Sequence, residues 1–203
     1  VLHDALTGLP NRDQLRLRLG QAMERTRETP ARHSALLYLD VDRFKVINDS
    51  LGHLAGDDFL CEVARRLQSC VRQPDLVARL AGDEFAILIE DVALDAEGRP
   101  AAAIAVAERA LEALTEPMEM AGCTLEPSAS IGIAVTRPHQ QHIDDLVRDA
   151  DTALYRAKAL GRKRWQLYDD SLQHTAVDQL TVEGELRLAL KRDEIEPWFQ
   201  PIV

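Results

Sequence analysis

Leu76-Val77-Ala78-Arg79-Leu80-Ala81-Gly82-Asp83-Glu84-Phe85-Ala86-Ile87-Leu88-Ile89 is the stretch that decides the architecture. Residues 76–80 and 85–89 read as two apolar strands around Ala81-Gly82-Asp83-Glu84, a hairpin whose glycine supplies the turn. Upstream, Ala35-Leu36-Leu37-Tyr38-Leu39 is a continuous apolar run of strand length that stops abruptly at Asp40-Val41-Asp42. Such a run predicts a central strand buried on both faces. Between and beyond these strands the apolar spacing turns helical.

Asn11 is placed to cap a first helix carrying Leu15, Leu19, Ala22 and Met23 on one face, and Thr29-Pro30 stops it. Residues 43–52 read as a polar turn leading to a second helix with the stripe Leu60, Val63, Ala64, Leu67 and Val71. A third helix is predicted over 101–115, aligned on Ile104, Ala107, Leu111 and Leu114. Strands are expected near Leu125 and over 130–135. A fourth helix over 143–160 turns Ile143, Leu146, Val147, Ala150 and Ala157 inward, with Gly161 as its C-terminal cap. Residues 165–168 are expected to close the sheet as an edge strand. Helices and strands interleave, but the tight hairpin breaks the alternation. The fold class is therefore α/β in the α+β sense: a mixed central sheet with helices on its faces, not a doubly wound parallel sheet. From Asp169 the composition turns polar and a new helix begins near Leu180, so residues 1–168 read as one domain and 169–203 as a linker plus the start of another.

Hydrophobic residues make up 46% of the 203, enough for a sizeable core, while aromatics at 4% leave that core to Leu, Ile, Val and Ala. The net charge of −10 argues against nucleic acid as a partner, because phosphate-backbone binding needs a basic surface. No apolar run approaches the ~20 residues of a membrane span, and no signal peptide is visible. Cys61, Cys70 and Cys123 lack metal-like spacing and read as small core residues in a cytoplasmic, reducing setting. The chain begins with Val and reads as a piece of a longer polypeptide.

The chemistry gathers at strand ends. Asp40 and Asp42, two apart, point to one side, and the hairpin tip adds Asp83 and Glu84. If the two strands are neighbours, at least three acidic groups meet, an arrangement that resists ionisation unless a cation neutralises it. Hard oxygen ligands suit Mg²⁺ or Mn²⁺ and hence phosphoryl transfer; the alternative is a strand end and a solvated turn with no further role.

Taken together the motifs resemble the GGDEF domain of diguanylate cyclases. Ala81-Gly82-Asp83-Glu84-Phe85 is similar to the family signature with its first glycine replaced by alanine. Residues 4–12 (Asp4-Ala5-Leu6-Thr7-Gly8-Leu9-Pro10-Asn11-Arg12) resemble the family's opening motif, and residues 39–49 and 51–57 its central ones. Ser130-Ile131-Gly132-Ile133-Ala134 and residues 150–158 through Gly161-Arg162 resemble the later ones, in the right order over about residues 2–168. The resemblance implies a nucleotidyl-cyclase, palm-like fold that condenses two GTP into cyclic di-GMP and pyrophosphate as a homodimer. Implied metal ligands are Asp40, Asp83 and Glu84 with the carbonyl of Val41, and Glu84 is also implied to help deprotonate the attacking 3′-hydroxyl. Asn48 and Asp57 are implied to read the guanine edge, for which a carboxylate that accepts from two N–H groups is apt; Asp57 alternatively caps a helix. Phe44, Lys45, Lys158, Arg162 and Gly82 are implied to line the substrate site. Lys158 and Arg162, four apart at a helix end, are expected to share a face, the alternative being a pairing with the helix C-terminus. Arg72 and Asp75 resemble the family's product-inhibition site. If position 81 requires a positive φ, its alanine costs roughly 1 kcal/mol. Residues 186–190 and 196–203 resemble the opening of an EAL phosphodiesterase domain without its catalytic acids. That keeps a second function open, a GTP- or cyclic di-GMP-binding regulatory module acting on a downstream EAL domain. A third is another palm-like nucleotidyl cyclase or polymerase.

Overall fold

The computed structural model describes residues 2–170, nearly all of them within one compact unit, Val1–Tyr168. The sequence readings made for residues 171–203 lie outside the described residues. The element order is α1 (Arg12–Glu28), β1 (His33–Val41), α2 (Phe44–Leu51), α3 (His53–Ser69), β2 (Leu76–Ala81), β3 (Glu84–Val92), α4 (Ala101–Thr115), β4 (Met118–Met120), β5 (Cys123–Leu125), β6 (Ala129–Val135), α5 (Ile143–Ala159) and β7 (Trp165–Leu167). A five-stranded sheet runs β2-β3-β1-β6-β7, and β4 with β5 forms a separate two-stranded ribbon. Every neighbour in the large sheet is antiparallel except β7, which runs parallel to β6. This is the mixed sheet expected from the hairpin.

The apolar run at 35–39 became the central strand because both faces of β1 are covered. Leu37, Leu39, Phe85, Ile87, Ile131 and Ile133 join Phe59, Val63 and Leu67 of α3 and Ala107 and Leu114 of α4 in the main core. On the opposite face Leu36, Ala86, Leu88 and Ala134 are buried beneath α1 and α5. Gly132 lets α5 approach β6 so closely that a Cβ there would stand 2.0 Å from the Ala150 carbonyl oxygen. Asn11 caps α1 as its side chain suggested, accepting from the amides of Asp13 and Gln14.

Three local expectations need correction, and one short strand was not anticipated. Residues 43–52 are not a turn: Phe44–Leu51 is helical, with Phe44, Ile47 and Leu51 at spacings of three and four, and only Gly52 separates α2 from α3. That helix starts without a side-chain cap, from Arg43 in a left-handed conformation, so no capping signal marked it. Val71 lies beyond the end of α3, which the Cys70 position closes. The ribbon strand β4 carried too few residues to show a pattern. Of the three cysteines only Cys70 is buried, and Cys123 is exposed.

Arg66 fastens α3 to the end of α4. Its buried guanidinium donates to the carbonyls of Ala113, Glu116 and Pro117 at 2.6–3.0 Å and to Glu62 at 2.8 Å. Hydrogen bonds from Arg65 and then Arg66 hold the Glu62 carboxyl down to about 2, against an ordinary value near 4.5. A lowered folded-state value stabilises the fold above the unfolded one and is lost as pH falls through the folded one. Thermal melts of Glu62→Gln and the parent should therefore differ most at neutral pH and converge as pH drops from 4.5 towards 2.

Candidate functional site

The site is built where β1 and β3 end side by side. Asp40 stands opposite Glu84 in the β1–β3 register and opposite Ser130 in β6, so the three side chains project from one face. The turn of the hairpin is only Gly82-Asp83, with Gly82 at φ +52°, and the Val41 amide donates to the Asp83 carbonyl at 3.2 Å. Ala81 is exposed and is not among the positive-φ residues, so its methyl carries no backbone strain. Burial, then the Asp40 charge, push the Asp83 carboxyl up from its ordinary value. Lys158 Nζ lies 2.8 Å from Asp40 Oδ1. Glu84 accepts from the Tyr38 hydroxyl at 3.3 Å, and burial together with that carboxylate pushes Tyr38 up to about 12. Among the described residues no three His, Cys, Asp or Glu side chains are gathered into a closed metal cage.

Asp42 faces the same side as Asp40 and has a different use. It is buried, with its side chain 2% exposed. It accepts from Ser128 Oγ at 2.9 Å, Ser130 Oγ at 2.8 Å and the Lys163 amide at 3.3 Å, and Arg162 Nε stands 4.0 Å away. Arg162 and Lys163 both hold left-handed backbone (φ 62° and 52°), so this carboxylate ties the strained segment after α5 to the end of β1. Lys158 and Arg162 therefore do not share a helix face. Gly161, at φ +110°, ends α5, and Arg162 bonds back from its amide to the Ala157 carbonyl at 3.1 Å. The two cations nonetheless reach neighbouring carboxylates, Asp40 and Asp42. Asp42→Ala removes the acceptor of three donors, two of them the hydroxyls of the buried Ser128 and Ser130, and is expected to cost about 3 kcal/mol. Urea unfolding checks this, with Asp42→Asn losing less.

The remaining candidate residues fall into two groups. Phe44 begins α2, but its ring is buried and stacks on Phe59 at 5.9 Å, so only its backbone can face a ligand. Lys45 is exposed one residue on. Asn48 rests its amide on Gly56, and its Oδ1 is buried without a hydrogen-bond partner. Asp57 is exposed inside α3, whose N-cap is Gly52, so the capping alternative for Asp57 does not hold. Arg72 and Asp75 sit at the far end of β2, about 20 Å of strand from the hairpin tip. There the Asp75 amide donates to the Arg72 carbonyl at 2.7 Å and Asp75 Oδ1 accepts from the Glu90 amide at 3.2 Å. They line a cavity of about 400 Å³ with Arg18 and another of about 350 Å³ with Arg109. Glu90 itself is gripped by Arg18 and Arg25 of α1.

One group that sequence reasoning missed holds the hairpin tip. Arg79 donates through Nε and Nη2 to the Gly82 carbonyl at 3.0 and 2.9 Å, and through Nη1 to Asp4 at 3.0 Å. Burial works against the Asp4 charge, but the Thr7 side chain and amide and then Arg79 hold its carboxyl below the ordinary value. The signal in the sequence was a single arginine inside an otherwise apolar strand.

The chain matches the family model described as "Diguanylate cyclase, GGDEF domain" over residues 1–164. It is 40% identical over 203 residues to the bifunctional diguanylate cyclase/cyclic di-GMP phosphodiesterase MucR of Pseudomonas aeruginosa, covering 100% of this chain and 29% of MucR. It is 38% identical over 201 residues to the cyclic di-GMP phosphodiesterase NbdA of the same organism, covering 99% of this chain and 25% of NbdA. The solved GGDEF domain of TpbB, also from P. aeruginosa, superposes with a TM-score of 0.78 at 38% identity, covering 86% of this chain and 98% of that one. The full-length diguanylate cyclase TpbB is 41% identical over 161 residues, 79% of this chain and 36% of TpbB. The chain thus spans roughly a quarter to a third of these curated relatives. With its mixed five-stranded sheet and its acidic hairpin at the end of the central strand, the chain belongs to the GGDEF family of cyclic di-GMP signalling domains.

Proposed function

We propose that residues 1–168 form the GTP-binding half of a diguanylate cyclase and that two copies face each other to make cyclic di-GMP. The observation that carries this reading is geometric: Asp40 and Glu84 stand opposite each other at the ends of β1 and β3, Asp83 sits in the hairpin turn beside them, and Lys158 reaches Asp40 at 2.8 Å. The donor set fits Mg²⁺ or Mn²⁺, since Mg²⁺ is commonly held by one or two carboxylates and completed by substrate phosphates rather than by an all-protein cage. Asp40, Asp83 and Glu84, with the Val41 carbonyl, would hold the ion, which when bound supplies Lewis-acid stabilisation of charge on the phosphates.

In this mechanism Asn48 and Asp57 take the guanine edge. Lys45, Lys158 and Arg162, with the backbone at Phe44 and Gly82, orient the triphosphate. The 3′-oxygen of one GTP attacks the α-phosphorus of the other while Glu84 helps remove its proton. The bond between the α-phosphorus and its bridging oxygen breaks and pyrophosphate leaves. A second, symmetric displacement closes the ring, so two GTP give one cyclic di-GMP and two pyrophosphates. A half-site holds one substrate, which makes the homodimer part of the chemistry. Arg72 and Asp75 serve as an inhibitory site for the product, an Arg able to pair with phosphate or stack on guanine. Because it consumes GTP, the domain is assigned to the cytoplasm. Residues 169–203 are assigned to a linker and the start of an EAL-like domain in the same polypeptide. No helix among the described residues is long and apolar enough to cross a membrane.

The likeness to NbdA favours a second reading, a GTP- or cyclic di-GMP-binding module that regulates a downstream phosphodiesterase. Turnover separates the two. Incubated at high protein concentration with GTP and Mg²⁺, the chain is expected to release cyclic di-GMP and pyrophosphate, and to leave ATP essentially unused. Tight GTP binding without product in a confirmed dimer would select the regulatory module. Full activity from a strict monomer, or equal turnover of ATP, would overturn the cyclase assignment.

A further inference from the structure

Gly56 is buried in the first turn of α3, directly against the Asn48 side chain. A Cβ built on it would lie 1.9 Å from Asn48 Oδ1, 3.0 Å from Asn48 Cγ and 3.3 Å from Phe44 Cζ. To reach ordinary contact the amide would have to retreat by roughly 1.5 Å. The backbone itself does not call for glycine, since Gly56 is helical and has no positive φ. Glycine weakens a helix relative to alanine, so its presence here answers to something other than α3.

The Asn48 amide is what it answers to. Oδ1 is one of two buried side-chain atoms among the described residues that have no hydrogen-bond partner, so shape rather than bonding sets how this amide lies. The two ends of an amide differ, one accepting and the other donating. Guanine and adenine present opposite polarity at position 6, an acceptor in one and an amino donor in the other. The depth and tilt of the amide therefore decide which purine edge it complements.

We propose that Gly56 is a specificity-determining residue: the missing Cβ lets the Asn48 amide lie against α3 in the position that matches guanine and rejects adenine. This rests on the reading above that Asn48 and Asp57 meet the base. Gly56 acts through Asn48 and touches no substrate atom.

The test is a cycle of Gly56→Ala, Asn48→Ala and the double variant. Each is titrated calorimetrically in Mg²⁺ with 3′-deoxy-GTP and 3′-deoxy-ATP, which lack the attacking hydroxyl. Gly56→Ala is expected to weaken 3′-deoxy-GTP binding roughly tenfold to a hundredfold and to leave 3′-deoxy-ATP within about threefold, collapsing the preference. Its melting temperature should stay at or above that of the parent. In the Asn48→Ala background the same change should weaken binding no further. If Asn48→Ala binds 3′-deoxy-GTP as the parent does, the base-reading assignment fails and the proposal with it. If Asn48→Ala weakens binding and Gly56→Ala does not, the base reading stands and the role of Gly56 alone is overturned. A drop in melting temperature in both Gly56→Ala chains would assign the glycine to folding and overturn the proposal equally.

Discussion

Gly132→Ala is expected to lower the melting temperature by about 10–15 °C, on the scale of 2–4 °C per kcal/mol for a domain of this size. The added Cβ would meet the Ala150 carbonyl oxygen at 2.0 Å, the Leu154 amide nitrogen at 2.3 Å and the Leu154 Cα at 2.9 Å. All three are backbone atoms of α5, so no side-chain rotation relieves the overlap. Either α5 lifts from the sheet or β6 bends, and both break the layer over Leu36, Ala86 and Leu88. Overpacking of this kind against rigid backbone belongs at or beyond the upper end of the usual 1–3 kcal/mol, and about 4 kcal/mol is expected here. That is a large share of the ~5–15 kcal/mol that holds a domain together. Gly20 in α1 is the control. A Cβ there meets only Ile143 Cδ1 at 3.6 Å, so Gly20→Ala should raise stability by about 0.5–1 kcal/mol. Opposite signs for one chemical change, read by calorimetric or circular-dichroism melts, test the packing directly. Equal effects would refute it.

Glu84→Gln is expected to reduce cyclic di-GMP formation by at least about a hundredfold, the usual range for a lost general base or charge stabiliser. The substitution keeps the size of the side chain and its acceptor for the Tyr38 hydroxyl, so the hairpin should fold unchanged. What disappears is one negative charge beside Asp40 and Asp83. The loss should appear in kcat, with GTP binding through the base residues largely kept. Product and pyrophosphate release, followed with a GTP titration of parent and variant, check this. A variant that retains parental turnover would remove Glu84 from the chemistry and move attention to Asp83 and Asp40.

Most of the fold was legible because its signals are local. A five-residue apolar run ending in acids announced β1, and the glycine turn announced the β2–β3 hairpin. Helical spacing announced α1, α3, α4 and α5. The helix α2 escaped because it is short, uncapped and entered through a left-handed arginine, a conformation that sequence does not advertise for Arg. At the site, the four carboxylates at the strand ends were legible, but not that they divide their labour. Asp40 and Asp83 face each other's charge, while Asp42 is wholly engaged by Ser128, Ser130 and Lys163, partners about 90 to 120 residues away. Arg79 was equally hidden, since it joins Asp4, 75 residues distant, to a carbonyl three residues on. Counting four residues along a helix placed Lys158 and Arg162 together for the wrong reason. The helix ends between them, and tertiary contacts bring them to adjacent carboxylates.

The closed loop at the start of the domain has one more effect. Residues 2–11 are stitched to themselves by the Asn11 amide on the Leu2 carbonyl at 3.0 Å and the Asp4 amide on the Leu9 carbonyl at 2.8 Å. The loop then lays the Pro10 carbonyl on the Arg79 amide at 2.9 Å. The strand it covers, β2, is the outermost of its side of the sheet and reads Leu-Val-Ala-Arg-Leu-Ala. An open margin of that composition is a template on which foreign strands add. The opening loop is thus a selvedge: it finishes the cloth at the margin where the sheet would otherwise fray into fibres.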